Sequence, residues 1–148
     1  MTDKREQIIE RIIQKKIIAI VRGIYGQECL KLAQALYDGG IELLEVTFDQ
    51  SSPEDMDRTA DAVGNVSSAM DGKMLVGAGT VTSIPLLEKA ADAGAGFIIS
   101  PNVDELLITA TLSFLLIFIN RFPIICPSFN IAFHFGQPSP HIPVSPSV

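Results

Sequence analysis

Charge nearly disappears from the end of this 148-residue sequence. Residues 1–110 hold 27 of its 28 Asp, Glu, Lys and Arg side chains, and residues 111–148 hold one, Arg121. A basic surplus is missing as well. The net charge of −6 excludes a general nucleic-acid binder, a class that needs a basic face. No basic amphipathic stretch suits a membrane surface. The apolar run from Leu112 to Ile119 is too short to span a bilayer, which needs about 20 residues, and Asn120, Arg121 and Pro123 interrupt it. Cysteine is scarce: Cys29 and Cys126 form neither a CxxC pair nor a metal-ligand spacing, which fits a reducing, cytoplasmic setting. Both histidines, His134 and His141, lie in the final stretch, and no Ser-His-Asp pattern, zinc motif or P-loop is present. Gly77-Ala78-Gly79 has Thr82 where a dinucleotide fingerprint needs its third glycine, so it is not that fingerprint, and no cofactor is expected. The opening MTDKREQIIERIIQKK is polar and helical, unlike a secretory signal.

What is there is an alternation of strand and helix. Asp3 can cap a helix over 4–15, with Ile8, Ile9, Ile12 and Ile13 at helical spacing. Ile17 to Val21 is a β-branched run, read as a buried strand. A helix over 27–38 ends at Gly39-Gly40. Ile41 to Phe48 is the second strand. Ser52 and Pro53 then open a helix region over 53–70. Met74 to Val76, a helix over 85–93, Phe97 to Ile99 and a helix beginning at Val103 complete four units. Successive strand–helix units imply parallel strands with right-handed crossovers. Two architectures fit: an open doubly wound sheet, or the first half of a (β/α)8 barrel, which needs roughly 200 residues or more to close.

In either architecture ligands meet the carboxyl ends of the strands. Alternation puts Ile18, Ile20 and Arg22 on one face of the first strand, and Leu43, Glu45 and Thr47 on one face of the second. Glu45 inside an apolar strand is the sharpest signal, because a buried carboxylate is costly unless it is paired. Gly77-Ala78-Gly79-Thr80 follows the third strand as a candidate tight turn. Ser100-Pro101-Asn102 follows the fourth as a turn or helix cap.

In this order and spacing, IIAIVRG, GGIELLEVTF, VGAGTV and GAGFIISPN resemble the 2-keto-3-deoxy-6-phosphogluconate and 4-hydroxy-2-oxoglutarate aldolases, over about residues 5–110. The resemblance implies an α/β fold of the (β/α)8 barrel family, here its first four units, usually assembled as a trimer. It also implies a metal-free class I aldolase that splits a 2-keto-4-hydroxy acid into pyruvate and an aldehyde. A lysine forms an iminium with the substrate ketone, the electron sink for breaking the C3–C4 bond. By the same pattern Glu45 matches the proton-transfer glutamate and Thr80 the hydroxyl that binds the pyruvyl carboxylate. Arg22 matches an arginine that approaches the substrate acid, and Pro101 a proline lining the pocket. Asp49 stands where some members have arginine.

The sequence departs from the family after the fourth helix. The segment in which a lysine is closely followed by Phe-Pro-Ala is missing, and Phe122-Pro123 is preceded by Arg121, which cannot serve as an amine nucleophile. None of Lys4, Lys15, Lys16, Lys31, Lys73 and Lys89 falls at an expected strand exit. Two parts are therefore expected: residues 1–110, the N-terminal half of an aldolase barrel, and residues 111–148, an apolar, proline-rich tail. The tail has the composition of a shifted reading frame, and its last twelve residues read as extended or disordered. The expected chain is an aldolase-family polypeptide lacking its nucleophile. The alternatives are a non-enzymatic half-barrel that binds a small acid or a partner chain, and an open-sheet nucleotide-binding domain.

Overall fold

A computed structural model of the protein describes residues 3–114, 116–120 and 132–136. Helix α1 (Lys4–Lys15) starts at Asp3, whose carboxylate accepts from the Arg5 N–H. There follow β1 (Ile18–Arg22), α2 (Gly26–Asp38), β2 (Leu43–Thr47) and α3 (Pro53–Ala69). Next come β3 (Leu75–Gly79), α4 (Ile84–Asp92), β4 (Phe97–Ser100) and α5 (Glu105–Ser113), then β5 (Ile117–Asn120) and β6 (Ala132–Gly136). The sheet order is β5-β4-β3-β2-β1-β6, and every pairing is parallel. The four expected βα units are present, and the sheet continues beyond them at both edges.

Strand β5 arises from residues in which no strand period is visible, and β6 lies in the final stretch, where no strand was expected. The reason is physical. A parallel strand covered on both faces reads as an unbroken apolar run, so Ile117-Phe118-Ile119 gives no alternation to detect. Strand β6 pairs with β1 from Ile18↔Ala132 to Arg22↔Gly136, and so occupies what would otherwise be a free edge. Arg121, Phe122-Pro123, Cys126, His141 and the last twelve residues lie outside the described residues.

The two faces of the sheet bury different sets. Ala19, Val21, Leu44, Val46, Phe48 and Ile98 pack against apolar residues of the covering helices, among them Ala33, Val63, Val66 and Leu87. On the opposite, barrel-facing side, Ile18, Leu43, Phe97 and Ile99 form a second cluster with Ile8 and Ile12 of α1. Helix α1 thus closes the amino-terminal end of the strands. Ile8 and Ile12 are buried, whereas Ile9 and Ile13 on its other side are exposed. Each buried isoleucine contributes roughly 1.5–3 kcal/mol. Cations fasten the helix at the same end. Lys15 Nζ donates to Glu42, Arg11 Nη2 lies 3.4 Å from Glu42 Oε2, and Arg11 also donates to the Lys73 carbonyl. The hydrogen bond from Lys15, with Arg11 beside it, holds the Glu42 carboxyl below its ordinary range.

Several boundaries differ from the sequence reading by a few residues. Strand β3 runs on through Gly77-Ala78-Gly79, which are therefore strand rather than turn residues. They are small for want of space. A β-carbon on Gly77 would meet the Phe97 ring, with Cζ 2.5 Å away, and one on Gly79 would fall on the Glu45 carboxylate. Helix α5 is capped by Asp104, which accepts from the Leu107 N–H at 3.1 Å. The Ser100 hydroxyl instead accepts from the Asn102 N–H at 3.2 Å and shapes the turn after β4.

Candidate active site

The polar residues of the strands and strand exits collect at the end of the sheet opposite α1. Alternation along β2 aims Glu45 and Thr47 at the barrel-facing side while Leu44, Val46 and Phe48 face the helices. Glu45 is 1 % exposed. Its Oε1 accepts a hydrogen bond of 3.1 Å from the Thr47 hydroxyl, and the carboxylate lies against the bare backbone of Gly79. Thr80 comes next in the chain. The glutamate is thus buried one residue away from the mouth.

Arg22 ends β1 and reaches across that mouth: its Nη2 donates to Thr80 Oγ1 at 3.3 Å, linking residues 58 positions apart. Arg22 and Thr80 are therefore brought into contact, with Glu45 beneath them. Pro101 follows β4 and is half-buried. Thr80 has φ +56°. A β-branched residue in the left-handed region is strained by roughly 1–3 kcal/mol, and such strain gathers at functional sites. Asp49, after β2, is held below its ordinary carboxyl range chiefly by hydrogen bonds from the Ser51 hydroxyl and backbone N–H, with the Arg22 charge adding to them.

Residues that the sequence motifs do not flag complete the mouth. Gln50 Nε2 donates to the Thr80 carbonyl at 2.9 Å, and its Oε1 accepts from the Thr82 hydroxyl at 3.2 Å. The available signal was weak: a polar Asp49-Gln50-Ser51 run directly after a strand.

All six lysines of the sequence lie in the described residues, and none stands at the carboxyl end of a strand. Lys4 and Lys15 belong to α1, and Lys16 caps its carboxyl end. Lys31 is in α2, Lys73 in the turn before β3, and Lys89 in α4, where it pairs with Asp57. His134 lies on β6 in register with Ile20. Among the described residues, no three of His, Cys, Asp and Glu stand close enough together to hold a metal ion. Among those residues also, no helix is long and apolar enough to cross a membrane.

Residues 8–125 match the family model described as KDPG and KHG aldolase. A probable 2-dehydro-3-deoxy-6-phosphogalactonate aldolase of Rhizobium meliloti (strain 1021) is 32 % identical over 96 residues, covering 65 % of this chain and 42 % of that protein. A 2-dehydro-3-deoxy-phosphogluconate aldolase of Treponema pallidum (strain Nichols) is 31 % identical over 99 residues, covering 66 % and 43 %. Among solved structures, a KDPG aldolase from Legionella pneumophila, with pyruvate captured as a covalent carbinolamine, superposes with a TM-score of 0.62. It is 28 % identical and the match covers 80 % of this chain and 52 % of that one. The chain spans less than half the length of the curated relatives it matches. A family match over this much of the chain, on a parallel sheet whose strands and helices superpose on those of solved family members, means that the chain belongs to the KDPG and KHG aldolase family of carbon–carbon lyases.

Proposed function

We propose that this chain carries the acid-recognition and proton-transfer part of a class I aldolase site without its amine nucleophile. The intended substrate class is a 2-keto-4-hydroxy acid, 2-dehydro-3-deoxy-6-phosphogluconate or 4-hydroxy-2-oxoglutarate, cleaved to pyruvate and an aldehyde. Arg22 and the Thr80 hydroxyl take the carboxylate of the keto acid. Glu45 moves protons at the carbinolamine and C–C cleavage steps, a contribution typically of about 10²- to 10⁴-fold in rate. Pro101 lines the far side. Residues 1–110 form the N-terminal half of the aldolase unit, residues 111–148 are an apolar, proline-rich tail whose strands β5 and β6 join its sheet, and the family's trimer and a cytoplasmic location are part of the same reading.

The observation that carries this proposal is the 3.3 Å contact between Arg22 and Thr80 above the buried Glu45. A guanidinium and a hydroxyl side by side present a carboxylate with a charge and two donor groups, and the carboxylate below is sheltered from water. Iminium formation further requires an amine near the ketone that is partly neutral around pH 7. Every lysine of the chain sits on a helix or at the amino-terminal end of the strands. The 148 residues as they stand therefore bind pyruvate weakly and do not turn over.

The test is borohydride reduction in the presence of pyruvate, followed by mass spectrometry of the intact chain, beside a pyruvate titration followed by NMR. Saturable binding without a covalent adduct is the expected result. A stoichiometric adduct on Lys4, Lys15, Lys16, Lys31, Lys73 or Lys89 would reveal a nucleophile at another place. Binding unchanged by Arg22→Ala would remove the acid-recognition role.

A further inference from the structure

Thr80 raises a question that its proposed role leaves open: what keeps a β-branched residue at φ +56°? Its neighbours are held by backbone bonds. The Gly79 carbonyl accepts from Phe48 N at 2.9 Å, and Val81 N donates to the Ile99 carbonyl at 3.2 Å. These two bonds tie the residues on either side to β2 and β4, yet neither involves a polar group of Thr80. Its own carbonyl is held by a side chain from another loop, through the 2.9 Å bond from Gln50 Nε2. The other end of the same amide accepts from Thr82 at 3.2 Å. One amide thus spans the residue on each side of Val81 and joins the loop after β2 to the loop after β3.

We infer that Gln50 is a positioning residue of the acid-binding mouth: its amide latches Thr80 in the left-handed conformation that sets the Thr80 hydroxyl before Arg22. An amide suits this task. Thr80 offers a carbonyl and Thr82 a hydroxyl proton, so the latch needs a donor and an acceptor on one short plane, which asparagine and glutamine side chains provide. Glutamate in the same place would keep the acceptor for Thr82 and lose the donor for Thr80. The consequence for carboxylate binding rests on the reading of Arg22 and Thr80 given above; the latch itself does not.

The experiment uses the full 148-residue chain, Gln50→Ala and Gln50→Glu, with Gln34→Ala as a surface control that breaks only the exposed contact to Asp38. Two readouts separate the latch from its consequence. The first is ligand-free: the intraresidue amide–Hα NOE of Thr80, which is strong at positive φ. The second is the pyruvate Kd from NMR titration. Both Gln50 variants are expected to lose the positive-φ signature. They are also expected to raise the Kd about 2- to 10-fold, the scale set by one net hydrogen bond, while Gln34→Ala changes neither. In a Thr80→Gly background, where there is no hydroxyl to position, Gln50→Ala is expected to have no further effect on Kd. Retention of positive φ at Thr80 in Gln50→Ala would overturn the inference. So would a loss of affinity on Gln50→Ala that persists without the threonine. If the unsubstituted chain does not bind pyruvate, the acid-recognition reading fails, and the Thr80 backbone signal alone decides the role of Gln50.

Discussion

Gly79→Ala is the sharpest small perturbation of the candidate site. The added methyl would fall on the Glu45 carboxylate, where even Cγ would be only 2.7 Å away. Glu45 is 1 % exposed, so its side chain has little free room into which to yield. Overpacking of a filled interior typically costs about 1–3 kcal/mol. Displacement also breaks the 3.1 Å bond from Thr47, and a hydrogen bond contributes about 0.5–1.5 kcal/mol net. The two effects together predict a loss of about 1.5–4.5 kcal/mol, a large share of the roughly 5–15 kcal/mol that holds a typical domain. Urea unfolding measures it as a fall in midpoint at constant slope. The specificity of the argument lies in a double-mutant cycle. All three of the nearest atoms to the added methyl belong to Glu45, so in a Glu45→Ala background Gly79→Ala is expected to cost less than about 1 kcal/mol. An equal cost in both backgrounds would refute the account of why Gly79 is glycine.

Other consequences can be checked with the same material. Thr80→Gly removes roughly 1–2 kcal/mol of left-handed strain and adds about 0.5–1 kcal/mol of glycine entropy, so the urea midpoint is expected to hold or rise while pyruvate affinity falls; a midpoint lowered by more than about 1 kcal/mol contradicts the strain argument. Ser52→Ala deletes the cap on the Asp55 N–H (3.1 Å) and is expected to cost about 0.5–2 kcal/mol in thermal or urea unfolding. The Glu42 carboxyl is depressed by Lys15 and Arg11, so the folded state holds this proton less readily than the unfolded chain. Its stabilisation is complete above the unfolded carboxyl pKa of about 4.3 and is lost as pH falls through the lower folded value. Glu42→Gln should accordingly destabilise the chain at pH 7 by no more than about 1 kcal/mol, since the pair is partly exposed, and by less in acid. A larger penalty in acid than at neutral pH would reverse the assigned sign.

Much of this architecture is visible in residue order because its signals are local. Ser52-Pro53, Asp3 and Gly39-Gly40 mark helix ends, and the alternation Leu43-Glu45-Thr47 marks a face, since cap chemistry and pleat geometry act over a few residues. Signals that depend on distant partners were not visible. Gly77 and Gly79 resemble a turn until Phe97 and Glu45 are seen to occupy the space beside them. The register of β6 with β1 joins residues more than 100 positions apart, and nothing in AFHFG announces its partner. At the mouth, the charge of Arg22 and the hydroxyl of Thr80 could be named in advance. The amide of Gln50 could not, because its importance comes from a carbonyl 30 residues away.

Helix α1 has a consequence for synthesis. Chains grow from the amino end at roughly 5–20 residues per second, so about 4–16 s separate the emergence of β1 from that of β4. During that interval the side of the sheet that faces the barrel axis has no later strands to meet. Ile8 and Ile12 leave the ribosome before Ile18, Leu43 or Phe97, the residues they come to cover. Each strand therefore emerges into the presence of its own apolar cover, and the nascent sheet carries an internal chaperone at the amino-terminal end of its strands from the first strand onward.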